Sequence, residues 1–176
     1  MFEHKQQSAP TPVYSTKTLL QELCTPEIFV VMVIRLRAAA EHDAQEVHES
    51  WRHGMTAAGV SLDGANAFDM LMHLLEMVLR WPLDVRSLRC GGLGEGEAWL
   101  LQAISLVQHQ RSEAALEILG RWLPPGVSRV ASQHMQRFAD ALAQTRLVVP
   151  LRHCEAAQTE IMPHQTAGAR GMALLH

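Results

Sequence analysis

Most of the chain repeats its apolar residues at intervals of three and four positions, which is the period of an amphipathic α-helix. The longest such segment runs from about Pro26 to about Ala58. Thr25-Pro26-Glu27 forms a helix start and Gly59 a natural stop. The run Ile28–Ile34 alone is β-branched and could form a buried strand, but no second run of this kind exists to pair with it. We therefore expect one long helix here.

A second helix is predicted from Leu62 to Arg80, with Ser61 or Asp63 as its cap. Apolar residues nearly surround this helix, and its polar residues are spaced three and four apart in one narrow strip. These polar residues are Asn66, Asp69, His73, Glu76 and Arg80. A helix with so little polar surface belongs in the centre of a domain or in a subunit interface.

Three further helices follow a glycine-rich connection. The pattern predicts a third helix from about Glu95 to His109, a fourth that Ser112 caps and that continues to Leu123, and a fifth from about Val127 to Gln144. A short helix over Thr16–Leu23, capped by Ser15, precedes them all. The fold class expected from these elements is all-α, a single-domain bundle of about five main helices.

The two ends of the chain lack a helical period. Residues 1–14 contain prolines and small polar residues and are expected to form a flexible arm, while residues 15–152 form the helical domain. Residues Leu147–Leu151 are expected to be a packed extended end. Beyond them, residues 153–176 show no clear period and are expected to form a poorly ordered tail.

Composition supports a helical protein of one domain. The chain has 176 residues, of which 48% are hydrophobic and only 5% aromatic, and a β-sandwich normally has more aromatic residues. Its three cysteines, Cys24, Cys90 and Cys154, are far apart and form no CxxC motif. No leader with an apolar region and no apolar run of about 20 residues is present. These features predict a soluble cytoplasmic protein without a membrane span.

The net charge of -3 is unevenly distributed. Residues 41–79 carry seven acids against Arg52, whereas residues 111–152 carry six arginines against three acids. Such halves can complement each other within one fold or across a homodimer. Nucleic-acid binding is not favoured, because Arg129 and Arg137 share the polar side of the fifth helix with glutamines and an acid.

The strip on the second helix also contains the best candidate for chemistry. Asp69, His73 and Glu76 are spaced four and three apart, so their side chains lie in line. A histidine between two carboxylates could act as an acid or base, and His73 with Glu76 could bind a metal if a facing helix added a ligand such as His134. The alternative is that this strip is simply the polar edge of the helix. Burial of the three side chains distinguishes the two.

Two other segments suggest a site at first. The segment 41–53 contains His42, His48, His53 and several acids, but it has no HExxH motif, and we interpret it as a solvated helix face. The glycine-rich stretch Cys90–Glu97 opens onto a helix start, where phosphates often bind. Its two glutamates would repel a phosphate, and no lysine follows. We therefore expect a flexible interhelical turn and no cofactor there, and leave the reactivity of Cys90 open.

No nucleophile motif or cofactor fingerprint is present. The favoured hypothesis is therefore a small helical regulator or adaptor, of bacterial type, that binds another protein, and an enzyme is the less favoured class. It predicts an exposed apolar groove beside the second helix or the hairpin of the third and fourth. One alternative is an enzyme or metal-binding protein that uses Asp69, His73 and Glu76. The other is a DNA-binding regulator that uses the arginines of the C-terminal half.

Overall fold

The computed structural model describes residues 13–40, 50–80 and 82–152, and in these ranges the chain is helical and without a named strand. A 3-10 turn, Leu20–Glu22, precedes six α-helices. These are α1 (Thr25–Ala40), α2 (Ser50–Ala57), α3 (Leu62–Val78), α4 (Glu95–Gln108), α5 (Ser112–Leu119) and α6 (Pro125–Gln144). The predicted all-α fold is confirmed, and the buried apolar residues form one core. None of the helices in the described ranges combines the length and apolarity that crossing a bilayer requires.

The single long helix expected over residues 26–58 is wrong, because this stretch contains two helices that pack against each other. On one straight helix Ala40 and Ser50 would lie about 15 Å apart, and α1 could not touch α2. The change of direction brings Trp51 and Met55 of α2 into the core, where neither side chain is exposed. The residues between the two helices, 41–49, lie outside the described residues, as does most of the histidine-rich segment.

The centre of the core is the crossing of α3 and α6. Trp51 and Phe68 make an edge contact with ring centroids 5.6 Å apart, and the rings of Phe68 and Phe138 are tilted against each other with centroids 4.9 Å apart. The backbones come close at Gly64, where an added Cβ would lie 2.3 Å from the Cβ of Ala141. A glycine is required there because of this close approach, which lets Phe68 and Phe138 meet in the core.

The helix ends follow local rules in most places. Ser61 caps α3, its hydroxyl accepting a hydrogen bond from the amide of Gly64 at 3.2 Å, and Gly59 ends α2 with a φ of 80°. Ser112 is not the cap of α5, since it is the first helical residue and its hydroxyl donates to Gln136. α5 ends at Leu119, four residues before the predicted end.

Both terminal segments of the described chain pack against α4. The side chain of Gln108 holds the C-terminal segment by accepting from the amide of Val149 and donating to the carbonyl of Leu147. The packing of this end, Leu147–Leu151, is thus confirmed. At the other end the amide of Val13 donates to Gln102, and Tyr14 is only 2% exposed, although the pattern places both in the flexible arm. The remainder of the arm and the tail, residues 1–12 and 153–176, lie outside the described residues.

Candidate functional site

The structure places the two carboxylates of the predicted site against arginines. Asp69 accepts from Nε of Arg37 at 2.7 Å and from Nη2 of Arg52 at 2.5 Å, while the guanidinium of Arg37 lies 3.4 Å from both oxygens of Glu76. The side chains of Asp69 and Glu76 are 31% and 26% exposed. They therefore serve to join α3 to α1 and α2, and their charge is balanced within the chain.

His73 lies apart from this network, because its side chain is exposed on the outer side of α3. His134 does not face it, since α6 packs on the opposite side of α3 through Gly64 and Phe68. Burial, and secondly the charge of Arg137, lower the pKa of His134. The structure thus does not bring His73 and His134 together. No cluster of three metal-binding side chains occurs in the described part of the chain.

The side of α3 that faces solvent carries two large apolar side chains. Met77 is 70% exposed and Met70 46% exposed, and both project from the same side as Asn66 and His73. We call these four residues the α3 outer face. The predicted polar strip and the exposed side of α3 are therefore not the same. Asp69 and Glu76 of the strip contact arginines, whereas Met70 and Met77 face solvent. Only one side of α3 is covered by the core, so the remaining apolar residues stay exposed.

A groove of about 510 Å³ adjoins the C-terminal end of this face. Its apolar lining consists of Val78, Leu79, Pro82, Leu83, Trp122 and Pro124. Leu83 forms the floor near Gly96, where an added Cβ would lie 2.5 Å from the Leu83 Cγ. Arg80 and Arg121 supply positive charge to the lining, and Asp84 and Glu95 negative charge. We call this site the α3–α5 groove, because it lies between the end of α3 and the residues that follow α5.

The glycine-rich connection is held from inside by a buried ion pair that the pattern does not reveal. Arg35 binds both carboxylate oxygens of Glu97, at 2.7 and 2.9 Å, and neither side chain is exposed. The guanidinium also donates to the carbonyls of Ser87, Cys90 and Gly92. All five of its N–H groups are therefore used.

Glu97 accepts two backbone hydrogen bonds in addition, from the amides of Arg86 and Gly94 at 3.0 and 2.8 Å. The flexible turn expected here is consequently wrong, because a fixed network holds it. Glu97 was recognisable only as an acid of the first helical turn. The signal that could have revealed the pair is Arg35, a charged residue inside the apolar run of α1, which needs a partner if it is buried.

A second buried carboxylate, Glu27, holds the two terminal segments together. It accepts from the hydroxyl of Tyr14 at 2.8 Å, from the amide of Cys24 at 2.6 Å, and from Nε and Nη2 of Arg152 at 2.6 and 2.8 Å. Burial alone raises the pKa of Glu27, but these hydrogen bonds, that of Arg152 first, outweigh it and hold the pKa below its ordinary value. Burial and then the bond to Glu27 raise the pKa of Tyr14. This cluster is structural, because its donors and acceptors satisfy one another.

Two arginines of the C-terminal half are engaged within the chain, and two others lie apart on α6. Arg152 is bound to Glu27, and the guanidinium of Arg121 lies 4.5 Å from the ring centroid of Trp99. Arg129 and Arg137 are exposed on α6. Eight residues separate them, which places them about 80° apart around the helix. Asp140 is also exposed and lies between them around the helix, so this side of α6 carries both signs of charge.

The described surface thus offers exposed apolar residues at the α3 outer face and a mixed apolar and charged groove beside it. The buried charged side chains Arg35, Glu97 and Glu27 are paired with other groups of the chain. Comparisons of the chain with protein-family models, with curated proteins and with solved structures find no match.

Proposed function

We propose that this protein is a small helical adaptor or regulator that binds a partner protein through the α3 outer face. The observation that carries the proposal is the exposure of Met70 and Met77, at 46% and 70%, on a helix whose opposite side is buried. Methionines seven residues apart lie on one stripe and suit the apolar stripe of a second helix, and their flexible side chains adapt to a partner's shape.

The α3–α5 groove supports the same function. It is lined by Val78 and Leu79 at the C-terminal end of α3, so it lies next to the end of the α3 outer face. A partner helix lying along α3 could therefore place its end in this groove. The lining carries positive charge on Arg80 and Arg121 and negative charge on Asp84 and Glu95. These charges would set the orientation of the partner helix, because the reversed orientation would bring like charges together.

A photo-crosslinking amino acid at position 77 tests this proposal. The same amino acid at position 130 is the control, because Val130 is 43% exposed on α6 and lies away from the α3 outer face. We expect a discrete protein adduct in the native host from position 77 and none of that mass from position 130. The substitution Met70→Glu, introduced in the chain labelled at position 77, should abolish the adduct. Equal adducts from positions 77 and 130 would contradict the proposal.

A homodimer through the same face is the second candidate. Met70 and Met77 flank His73 almost symmetrically, so an antiparallel pair of α3 helices would place Met70 of each copy beside Met77 of the other. The spacing of the two methionines is therefore compatible with a two-fold symmetric dimer. Sedimentation velocity over a wide concentration range tests it, and a monomer at every concentration would rule it out.

The remaining alternatives have less support. Asp69 and Glu76 are engaged by Arg37 and Arg52, which weakens a catalytic or metal-binding role. DNA binding by α6 is disfavoured because the exposed Asp140 lies between Arg129 and Arg137 around the helix. We retain the cytoplasm as the proposed location, since Cys24 and Cys90 are free thiols.

A further inference from the structure

A second surface is built around a tight turn that is clamped from beneath. The amide of Cys90 donates to the carbonyl of Ser87 at 3.0 Å, which closes a turn with Leu88 and Arg89 at its tip. Nη1 of Arg35 donates to both of the carbonyls that bracket this tip, those of Ser87 and Cys90, at 3.3 and 2.6 Å. The two ends of the turn are therefore held by one buried guanidinium.

The clamp makes the turn rigid in a part of the chain that has no regular helix or sheet. A buried ion pair of this kind is weak evidence for stability, because removing two charges from water costs about as much as their attraction returns. Its effect here is on position, since the partner Glu97 also fixes the amide of Arg86 at 3.0 Å. A loop that is ordered before binding loses less entropy when it binds.

The side chains that this rigid loop presents are cationic and apolar. Arg86, Leu88 and Arg89 are all exposed, and Leu88 is 38% exposed although it is a leucine. Arg86 lies 3.5 Å from Asp84 in an exposed pair, and because such a pair contributes little free energy, a carboxylate of a partner can compete with Asp84 for Arg86.

A groove of about 520 Å³ lies between the loop and α1. Its floor is apolar and formed by small side chains, Ala38 and Ala39 of α1 together with Val85, and its rim carries Arg86 and Arg89. The small alanine side chains leave room for an apolar side chain of a partner. The arginines on the rim are placed to contact an acidic residue of the same partner next to that side chain.

We infer that this turn and groove form a docking site for an acidic segment of a partner protein that also carries apolar side chains. Carboxylates of the segment would bind the guanidinium groups of Arg86 and Arg89, which match a carboxylate in shape and charge. An apolar side chain would pack on Ala38 and Ala39 beside Leu88. This docking site is separate from the α3 outer face. An experiment can therefore reject the docking site without rejecting the proposed function, and it can reject the proposed function without rejecting the docking site.

Fluorescence anisotropy with the full chain tests the inference. The probe is a fluorescein-labelled peptide of glutamate and leucine, and its matched control carries glutamine in place of every glutamate. We expect the glutamate peptide to bind and the control not to bind. Arg86→Glu with Arg89→Glu should weaken binding at least about tenfold, as should Leu88→Ser, whereas Arg137→Glu on α6 should leave it unchanged. Raising the salt concentration should weaken binding.

Three results would overturn the inference. The first is equal binding of the glutamine peptide, and the second is an equal loss in Arg137→Glu, which would indicate general attraction between charges. The third is binding that occurs only after neutralisation of the four acids at positions 41, 43, 46 and 49, which would make this chain its own ligand. Unchanged circular dichroism and urea midpoints verify that each variant is folded.

Discussion

Arg35 on α1 and Glu97 on α4 form a bidentate ion pair in which neither side chain is exposed to solvent. The two residues are 62 positions apart in the chain, and their pairing fixes the connection between α3 and α4 as well as the contact of α1 with α4. Because Arg35 contacts both Glu97 and the backbone of the connection, substituting it should disturb α1, α4 and the connection together.

Removing one partner of this pair should be strongly destabilising. Arg35→Met leaves the Glu97 carboxylate buried without its counter-charge, and we expect a loss of about 3–5 kcal/mol in the free energy of unfolding. The double variant Arg35→Met, Glu97→Leu should lose less than the sum of the single losses. It should not regain full stability, because the amides of Arg86 and Gly94 lose their acceptor. Urea denaturation measures the free energy of unfolding of Arg35→Met, Glu97→Leu and the double variant. A loss below about 1 kcal/mol for Arg35→Met would contradict the expectation.

Two glycines in helices should respond in opposite ways to replacement by alanine. Gly64→Ala places a Cβ 2.3 Å from that of Ala141, so α3 and α6 must move apart, and we expect a loss of about 1–3 kcal/mol. Gly54 in α2 has no atom within 4 Å of an added Cβ, and Gly54→Ala should raise stability by about 0.5–1 kcal/mol. Thermal unfolding compares the two, and equal shifts would argue against the close crossing.

Stability should fall in acid partly through Glu27. The pKa of this buried carboxyl is lowered in the folded state, so its contribution is complete above its ordinary pKa of 4.5 and is lost as the pH falls through the folded pKa. Glu27→Gln should therefore destabilise the protein at neutral pH, and the difference from wild type should shrink toward about pH 3. Urea midpoints across this range test it, with Glu117→Gln as the exposed control. A difference independent of pH would show that the charge of Glu27 is not involved.

The exposed methionines of α3 should contribute little to folding. Met77→Ser is expected to change the free energy of unfolding by no more than about 0.5 kcal/mol, because the side chain is 70% exposed. Met72→Ala on the same helix should cost about 2–5 kcal/mol, since Met72 is 2% exposed in the core. Chemical denaturation of both variants gives the comparison. A large loss in Met77→Ser would mean that this residue packs within the chain and is not free for a partner.

The sequence by itself determined the class of fold and most of the helix ends. Apolar spacing and the caps at Ser61 and Gly59 act over one or two turns of chain, so they can be recognised from neighbouring residues alone. The same spacing identified α3 as a helix with too many apolar residues for one buried side, and this expectation leads to Met70 and Met77.

Only the tertiary structure decided which face of each helix is covered and which charges meet. The break between α1 and α2 depends on the burial of Trp51, and the role of Glu97 depends on Arg35, 62 residues earlier. Likewise Asp69 could be placed on α3 from its spacing, but its arginine partners come from two other helices. Periodicity describes one helix at a time, whereas burial and ion pairing depend on the neighbours that the whole chain brings to it.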